Sequence, residues 1–211
     1  MSEVLQRGAK RVLDIVVALL LLTLSVPILA IAALLVRIQL GSPVFFVQER
    51  TGLGQRPFPI VKLRTMSNER NAGGNLLPDG VRCRGVGRVL RRLSIDELPQ
   101  LVNVLRGQLS LVGPRPLLPR YDAWYTERER RRFDVRPGIT GLAQISGRNG
   151  VPWEERLALD VRYVEQWSLW LDLRILAATA GKVFQGSGVA VDPAAQMLDL
   201  DKERQTTCVS S

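Results

Sequence analysis

The sequence predicts a helix-rich mixed α/β protein. A membrane-embedded helix–break–helix at the amino end is followed by a small domain with a short β-hairpin and amphipathic helices lying at the membrane interface. Three observations lead there. Residues 15–36 form an unbroken apolar run of 22 residues with Pro27 near its middle. Two strand-like stretches, 44–50 and 58–65, flank turn material. Beyond residue 86, apolar residues keep helical spacing among many arginines. The division that follows is a membrane element over 1–40, a folded domain over 41–190 and an unstructured tail over 191–211.

At about 1.5 Å per helical residue the apolar run reaches roughly 33 Å, enough to cross a bilayer's hydrocarbon core. Pro27 disturbs it: proline has no N–H, and its ring collides with the carbonyl of Thr23, a defect of roughly 3 kcal/mol in water. In lipid the freed carbonyl needs another donor, and the hydroxyls of Thr23 and Ser25 are the nearest. Arg7, Lys10 and Arg11 precede the run and Arg37 follows it. Positive flanks prefer the cytoplasmic side, and here both ask for it. A hairpin broken at Ser25 and Pro27 satisfies both, with arms of about 14 to 18 Å. On these residues alone three other readings stay open. They are a span kinked at proline, a signal peptide ending near Ala30-Ile31-Ala32, and a buried core helix.

The 211 residues suit one domain plus a membrane element. Lys+Arg 29 against Asp+Glu 20 gives +9 and a pI near 10.5, mostly through arginine. Such an excess suits a polyanionic partner, and beside a membrane segment lipid headgroups and phosphate compounds outweigh nucleic acid. There is no histidine, which excludes an imidazole base, a Ser-His-Asp triad and a His-ligated metal. Cys83 and Cys208 form neither a zinc motif nor a disulfide framework, in keeping with a reducing compartment. A metal here would be a hard ion held by carboxylates and phosphate oxygens, Mg²⁺ first.

Along the chain, TGLGQRP reads as the turn of a hairpin, its Gly52-Leu53-Gly54 too slight for a phosphate loop. Residues 67–80 are polar and glycine-rich and read as a mobile loop. Ile95, Leu98, Leu101, Val102 and Leu105 predict a helix over about 95–106 ending near Gly107. Residues 117–133 read as a second amphipathic helix whose Tyr121, Trp124 and Tyr125 suit a core edge or an interfacial belt. Residues 134–150 read as irregular, site-lining loops, and helices follow at about 153–167 and 169–184. Trp167 and Trp170 suit interfacial anchoring or ordinary packing.

Ser94-Ile95-Asp96-Glu97 fits a capping box, in which two acids in a first turn need no chemical role. Around it stand Pro99 and the cations Arg88, Arg91 and Arg92. A helix start also gathers N–H donors that hold a carboxylate ionised and welcome phosphate. Arg115, between two prolines, is stiffly presented, as are Arg136 before Pro137-Gly138 and Arg148 after Gly147. Lys62 and Arg64 on the second strand add two more cations. Together they resemble a diphosphate pocket beside a carboxylate pair.

At these residues the chain resembles a known family. Lys10-Arg11-Val12-Leu13-Asp14, Lys62-Leu63-Arg64-Thr65-Met66, Asp96-Glu97-Leu98-Pro99-Gln100, Gly113-Pro114-Arg115-Pro116, Arg136-Pro137-Gly138-Ile139-Thr140-Gly141 and Gly147-Arg148-Asn149 look like the bacterial sugar transferases. These are the monotopic phosphoglycosyl transferases that prime glycan assembly, and the length is similar to that of their minimal members. The resemblance implies a small family-specific catalytic domain instead of a doubly wound sheet. It implies transfer of a sugar 1-phosphate from a UDP-sugar to polyprenyl (undecaprenyl) phosphate, releasing UMP, through a phosphosugar on aspartate with Mg²⁺. By position Asp96 is the nucleophile, and Glu97 holds Mg²⁺ with it. Arg91, Arg115, Arg136 and Arg148 contact phosphate, with Lys62 and Arg64 beside them. The family's membrane helix breaks at a Ser-Pro pair, whereas here Val26 separates Ser25 from Pro27. The implied partners are UDP-sugar, polyprenyl phosphate and inner-membrane lipid, with a homodimer possible and no nucleic acid. The implied location is the cytoplasmic face of the bacterial inner membrane. A non-enzymatic basic protein binding anionic membrane surfaces is the rival reading.

Overall fold

A computed structural model of the chain describes residues 3–147, 152–185 and 199–209. Helix α1, Glu3–Gln39, carries the apolar run. Among the described residues it is the one helix long and apolar enough to cross a membrane. Here the expected break is corrected: the helix continues through Pro27 with no non-helical residue between its arms. Losing one N–H frees one carbonyl, while the neighbouring i→i−4 bonds hold each arm. The hydroxyls take other acceptors than expected. Ser25 Oγ donates to the Leu22 carbonyl at 2.9 Å and Thr23 Oγ1 to that of Leu19 at 2.9 Å, so neither serves Thr23.

Both arms of α1 rest on the following domain. Before Pro27, Lys10 Nζ reaches Asp172 Oδ2 at 2.5 Å and the Val112 carbonyl at 3.1 Å, Arg11 caps the carbonyls of Val104 and Leu105, and Asp14 accepts from Leu111 N. After Pro27, Ala32 and Val36 pack with Leu63 and Leu90, and Gln39 Oε1 accepts from Val86 N at 2.6 Å. Between these footholds Leu19, Leu20, Leu24, Val26, Ile28 and Ile31 stay exposed. That apolar face is what lipid would cover.

The expected hairpin is present. Strands β1, Phe45–Thr51, and β2, Pro57–Leu63, are antiparallel with Phe45 opposite Leu63 and Thr51 opposite Pro57. A short 3-10 turn, Leu53–Gln55, joins them, with Gly54 at φ 60. Phe58 and Ile60 of β2 are buried, and Lys62 continues the same alternating face. The 67–80 stretch is irregular as expected, pinned by a bridge from Arg70 to Leu76 and leading into helix α2, Asp79–Arg82. Helix α3, Val86–Arg92, follows.

The expected 95–106 helix is two pieces: a 3-10 segment, Ile95–Gln100, and helix α4, Leu101–Leu105, ending before Gly107 at φ 80. Pro99 is the reason, because it has no N–H to give the Ile95 carbonyl. The 117–133 helix is also broken, into a 3-10 segment Pro119–Trp124, helix α5 Glu127–Arg130 and a 3-10 segment Arg131–Asp134. Thr126 stays extended to cap α5 in a reciprocal box with Glu129, so the chain must leave the helix before restarting it. Tyr121 and Tyr125 lie in the core, not in an interfacial belt.

One element escaped the sequence reading. Strand β3, Ser110–Val112, pairs in parallel with β4, Gly138–Thr140, inside the stretch read as loops. The pairing needs glycine: a Cβ on Gly113 would lie 2.4 Å from the Arg136 carbonyl oxygen. Helix α6, Leu142–Ser146, leads on, and α7, Trp153–Glu165, and α8, Leu169–Phe184, match the expected helices. Trp167 packs against the core and donates to Asp172, whereas Trp170 is 69% exposed.

The tail departs from expectation. Residues 191–198 lie outside the described residues, but Leu200–Val209 forms helix α9. Leu200 is fully buried among Leu117, Tyr121, Trp153 and Leu157. Asp199 accepts from the Tyr121 hydroxyl at 2.8 Å, and Arg204 pairs with Glu129 at 2.5 Å. A single buried leucine among polar residues gives no periodicity to read.

Candidate active site

The Asp96–Glu97 pair sits in the 3-10 segment, against the end of β2 and the segment after β3. The expected capping box is not formed. Ser94 adopts a left-handed conformation (φ 56, ψ 21) and makes no side-chain cap. Glu97 turns away from it to the cations. Its Oε1 accepts from Lys62 Nζ at 2.6 Å and from Arg115 Nη2 at 3.2 Å. Successive residues in a 3-10 turn point about 120° apart, so Asp96 faces elsewhere. It is 7% exposed, and no hydrogen bond or ion pair from the described residues holds its carboxylate.

Two neighbouring acids thus have opposite electrostatics. Burial and the charge of Glu97 push Asp96 up to about 6, against the pull of Lys62, Arg91 and Arg115. Burial would raise Glu97 too, but the adjoining Arg115 and Lys62 overcome it and hold the group down at about 2. Burial also pushes Lys62 below its usual range despite Glu97. At neutral pH Asp96 is largely ionised yet more basic than a solvated carboxylate, as a carboxylate nucleophile needs to be. Glu97 is a fixed anion that organises two cations.

The positioning is built from the backbone outward. Asn103 of α4 is fully buried; its amide donates to the Pro59 carbonyl at 2.8 Å and accepts from Val61 N at 3.4 Å. It ties the strand carrying Lys62 to the turn carrying the acids. Arg132 donates to the Arg115 carbonyl at 2.6 Å and pairs with Asp160 at 2.8 Å, both side chains buried. A buried pair of this kind fixes a loop more than it stabilises a fold. Here the loop is Gly113-Pro114-Arg115-Pro116.

Residues 5–186 match the bacterial sugar transferase family. The chain belongs to that family. As a member it is an enzyme, a phosphoglycosyl transferase, and the reading as a non-enzymatic surface binder falls. The uncharacterized sugar transferase EpsL of Bacillus subtilis is 54% identical over 180 residues, covering 85% of this chain and 89% of EpsL. A UDP-glucose:undecaprenyl-phosphate glucose-1-phosphate transferase of Caulobacter vibrioides is 46% identical over 185 residues, 81% of this chain and 67% of that protein. The transferase of the same name in Escherichia coli is 39% identical, 84% of this chain matching 40% of it. The Sinorhizobium fredii exopolysaccharide production protein ExoY is 38% identical across 85% of this chain and 87% of its own length.

Of the transferase's predicted cations, Lys62, Arg91 and Arg115 gather at the pair. Arg91 Nε donates to Thr65 Oγ1 at 2.8 Å, and its charge is felt at Asp96. Arg64 does not join them: its guanidinium caps the carbonyls of Leu40 and Ser42 just after α1, a structural task. Arg136 is exposed and bonds the Gly107 carbonyl at 2.9 Å, beyond the far end of α4 from the acids. Arg148 lies outside the described residues. The sequence reading missed Arg50, whose place in an ordinary strand pattern gave no signal, and gave Gln100 no role of its own. Both line an open cleft beside the pair, with Lys62, Arg115, Ile60 and Gly138.

Proposed function

We propose that the protein moves a sugar 1-phosphate from a UDP-sugar to polyprenyl (undecaprenyl) phosphate, as a membrane step of surface-glycan assembly. The observation that carries this is the split acid pair, one carboxylate unpartnered and raised, the other locked between Lys62 and Arg115. The names of the Caulobacter and Escherichia relatives support the reaction class, and that of ExoY the pathway class.

In the first displacement a carboxylate oxygen of Asp96 attacks the β-phosphorus of the donor. The bond from that phosphorus to the bridging oxygen breaks, and UMP leaves with the electron pair. In the second, an oxygen of polyprenyl phosphate attacks the same phosphorus and the acyl-phosphate bond breaks. The Asp96 carboxylate is restored and the lipid diphosphate sugar departs. Lys62, Arg91 and Arg115 face the charge that gathers on the phosphoryl oxygens. Asp96 and Glu97 supply the hard oxygens that would hold Mg²⁺, which commonly takes one or two carboxylates and completes its shell with phosphate and water. Among the described residues no larger cluster of metal ligands competes. When bound, the ion would neutralise charge on the transferring group.

We further place the apolar run in one leaflet, with the domain on the cytoplasmic face. The domain seats Lys10, Arg11 and Asp14 on one side of Pro27 and Ala32, Val36 and Gln39 on the other. Were the run a straight span, polar parts of one domain would be drawn through the hydrocarbon core. Staying on one side brings a lipid headgroup to a water-soluble nucleotide-sugar.

The test is UMP release from a panel of UDP-sugars with undecaprenyl phosphate. Turnover with at least one donor, lost by at least a thousandfold in Asp96→Asn, is expected. Normal turnover in that variant would remove Asp96 from the role.

A further inference from the structure

The cleft beside the acid pair is overcharged. Lys62 and Arg115 share one anion, Glu97. Arg50 enters from β1 as a third cation and has no carboxylate within ion-pair distance among the described residues; its bond goes to the neutral Gln48 Oε1 at 2.6 Å. Burial and the nearby charge of Arg115 push its guanidinium down to about 10, a sign of cations held together without enough counter-charge. Gln100 stands in the same wall. It is 3% exposed, and its Nε2 is buried with no acceptor. A buried donor left unbonded carries a desolvation penalty that a bound acceptor removes.

A guanidinium with no carboxylate partner among the described residues, an unbonded amide nitrogen and two further cations on one cleft call for a phosphate. Its location says which one. Lys62 and Arg115 reach from this cleft to Glu97 beside Asp96, whereas Arg50 and Gln100 lie on its wall without touching either acid, so an anion held by Arg50 and Gln100 sits next to the attacked phosphorus and not on it. We infer that Arg50 and Gln100 form a subsite for the non-reacting, nucleotide-side phosphate of the donor diphosphate, the group that leaves as part of the nucleoside monophosphate. This rests on the phosphoglycosyl-transfer reading above. The same chemistry would suit the phosphate of the lipid acceptor, and the two sources are separable because the displacements can be run apart.

Calorimetric titration of the detergent-solubilised full chain with UMP, UDP and uridine is the first arm. Arg50→Gln should weaken UMP and UDP at least tenfold and leave uridine, which has no phosphate, unchanged. Gln100→Glu, isosteric but anionic, should do the same, and Arg50→Lys should restore part of the loss. The second arm loads enzyme with donor alone and then adds undecaprenyl phosphate. Arg50→Gln should raise the donor concentration needed for loading at least tenfold without slowing discharge. UMP affinity unchanged in both Arg50→Gln and Gln100→Glu would overturn the subsite. So would a loss confined to discharge, which would give the phosphate to the acceptor. Nucleotide binding needs no turnover, so it reports on the subsite even if the transfer chemistry fails. Turnover by the native chain with Arg50-independent UMP binding would sink the subsite alone.

Discussion

At the scale of residues, the proposed chemistry depends on the carboxylates of two consecutive residues being treated differently by their surroundings. Glu97 takes Lys62 and Arg115, and no cation among the described residues pairs directly with Asp96. The consequence is a pH profile with a definite sign. In the proposed mechanism Asp96 attacks only when ionised, and its pKa is raised to about 6, so loading from the donor should fall roughly tenfold per pH unit below that value. Glu97→Gln removes a repelling charge and should move this acid limb to lower pH, whereas Arg91→Gln removes an attracting one and should move it higher. Rates of UMP release in a first turnover, measured from pH 4.5 to 8, check both directions. Limbs that stay fixed in both variants would contradict the electrostatic account. Asp96, Glu97, Lys62 and Arg115 were legible from their motifs. Arg64 was misplaced because β2 ends at Leu63, so the alternation that brings Lys62 to the acids stops before Arg64, whose guanidinium turns to the Leu40 and Ser42 carbonyls instead.

At the scale of elements, periodicity located the hairpin and helices α7 and α8, whose apolar residues repeat regularly over enough length to be read. It failed where a local group overrode the pattern. Pro99 tightened the first turn of the predicted 95–106 helix, and the Thr126 cap divided the 117–133 segment. The β3–β4 pair was invisible because each strand has three residues and its partner lies far along the chain. Helix α9 was invisible for a different reason: its docking depends on tertiary partners for Leu200, Asp199 and Arg204. This predicts that the tail contributes to stability. Leu200→Ala should destabilise the domain by about 2 to 5 kcal/mol, the usual range for a buried leucine. Thermal unfolding in detergent should show a lowered midpoint, and an unchanged one would mean the helix does not dock.

At the scale of the whole molecule, the domain and α1 form one packed body, with a core that includes Ala18 on one arm and Ala32 and Val36 on the other. The helix stays helical through Pro27 and is gripped on both sides of it by the same domain, which is the observation behind the proposed one-leaflet placement. The positive flanks and the proline led to the expectation of a one-sided arrangement, which stays a proposal; the footholds at Asp172, Val104 and Val86 come only from the fold. The expectation for intact cells is that a cysteine introduced by Ser2→Cys stays shielded from impermeant external thiol reagents and reacts once the membrane is opened. Labelling before opening would place the amino end outside and return α1 to a spanning helix.

The proposed mechanism makes Asp96 the carrier of the transferred group. Donor is added without lipid acceptor, the reaction is quenched, and the peptide containing residues 93–106 is weighed. The expected result is a gain equal to one sugar phosphate, on Asp96, that disappears when undecaprenyl phosphate is added and never forms in Asp96→Asn. An enzyme that turns over normally yet shows no such mass on that peptide would contradict it.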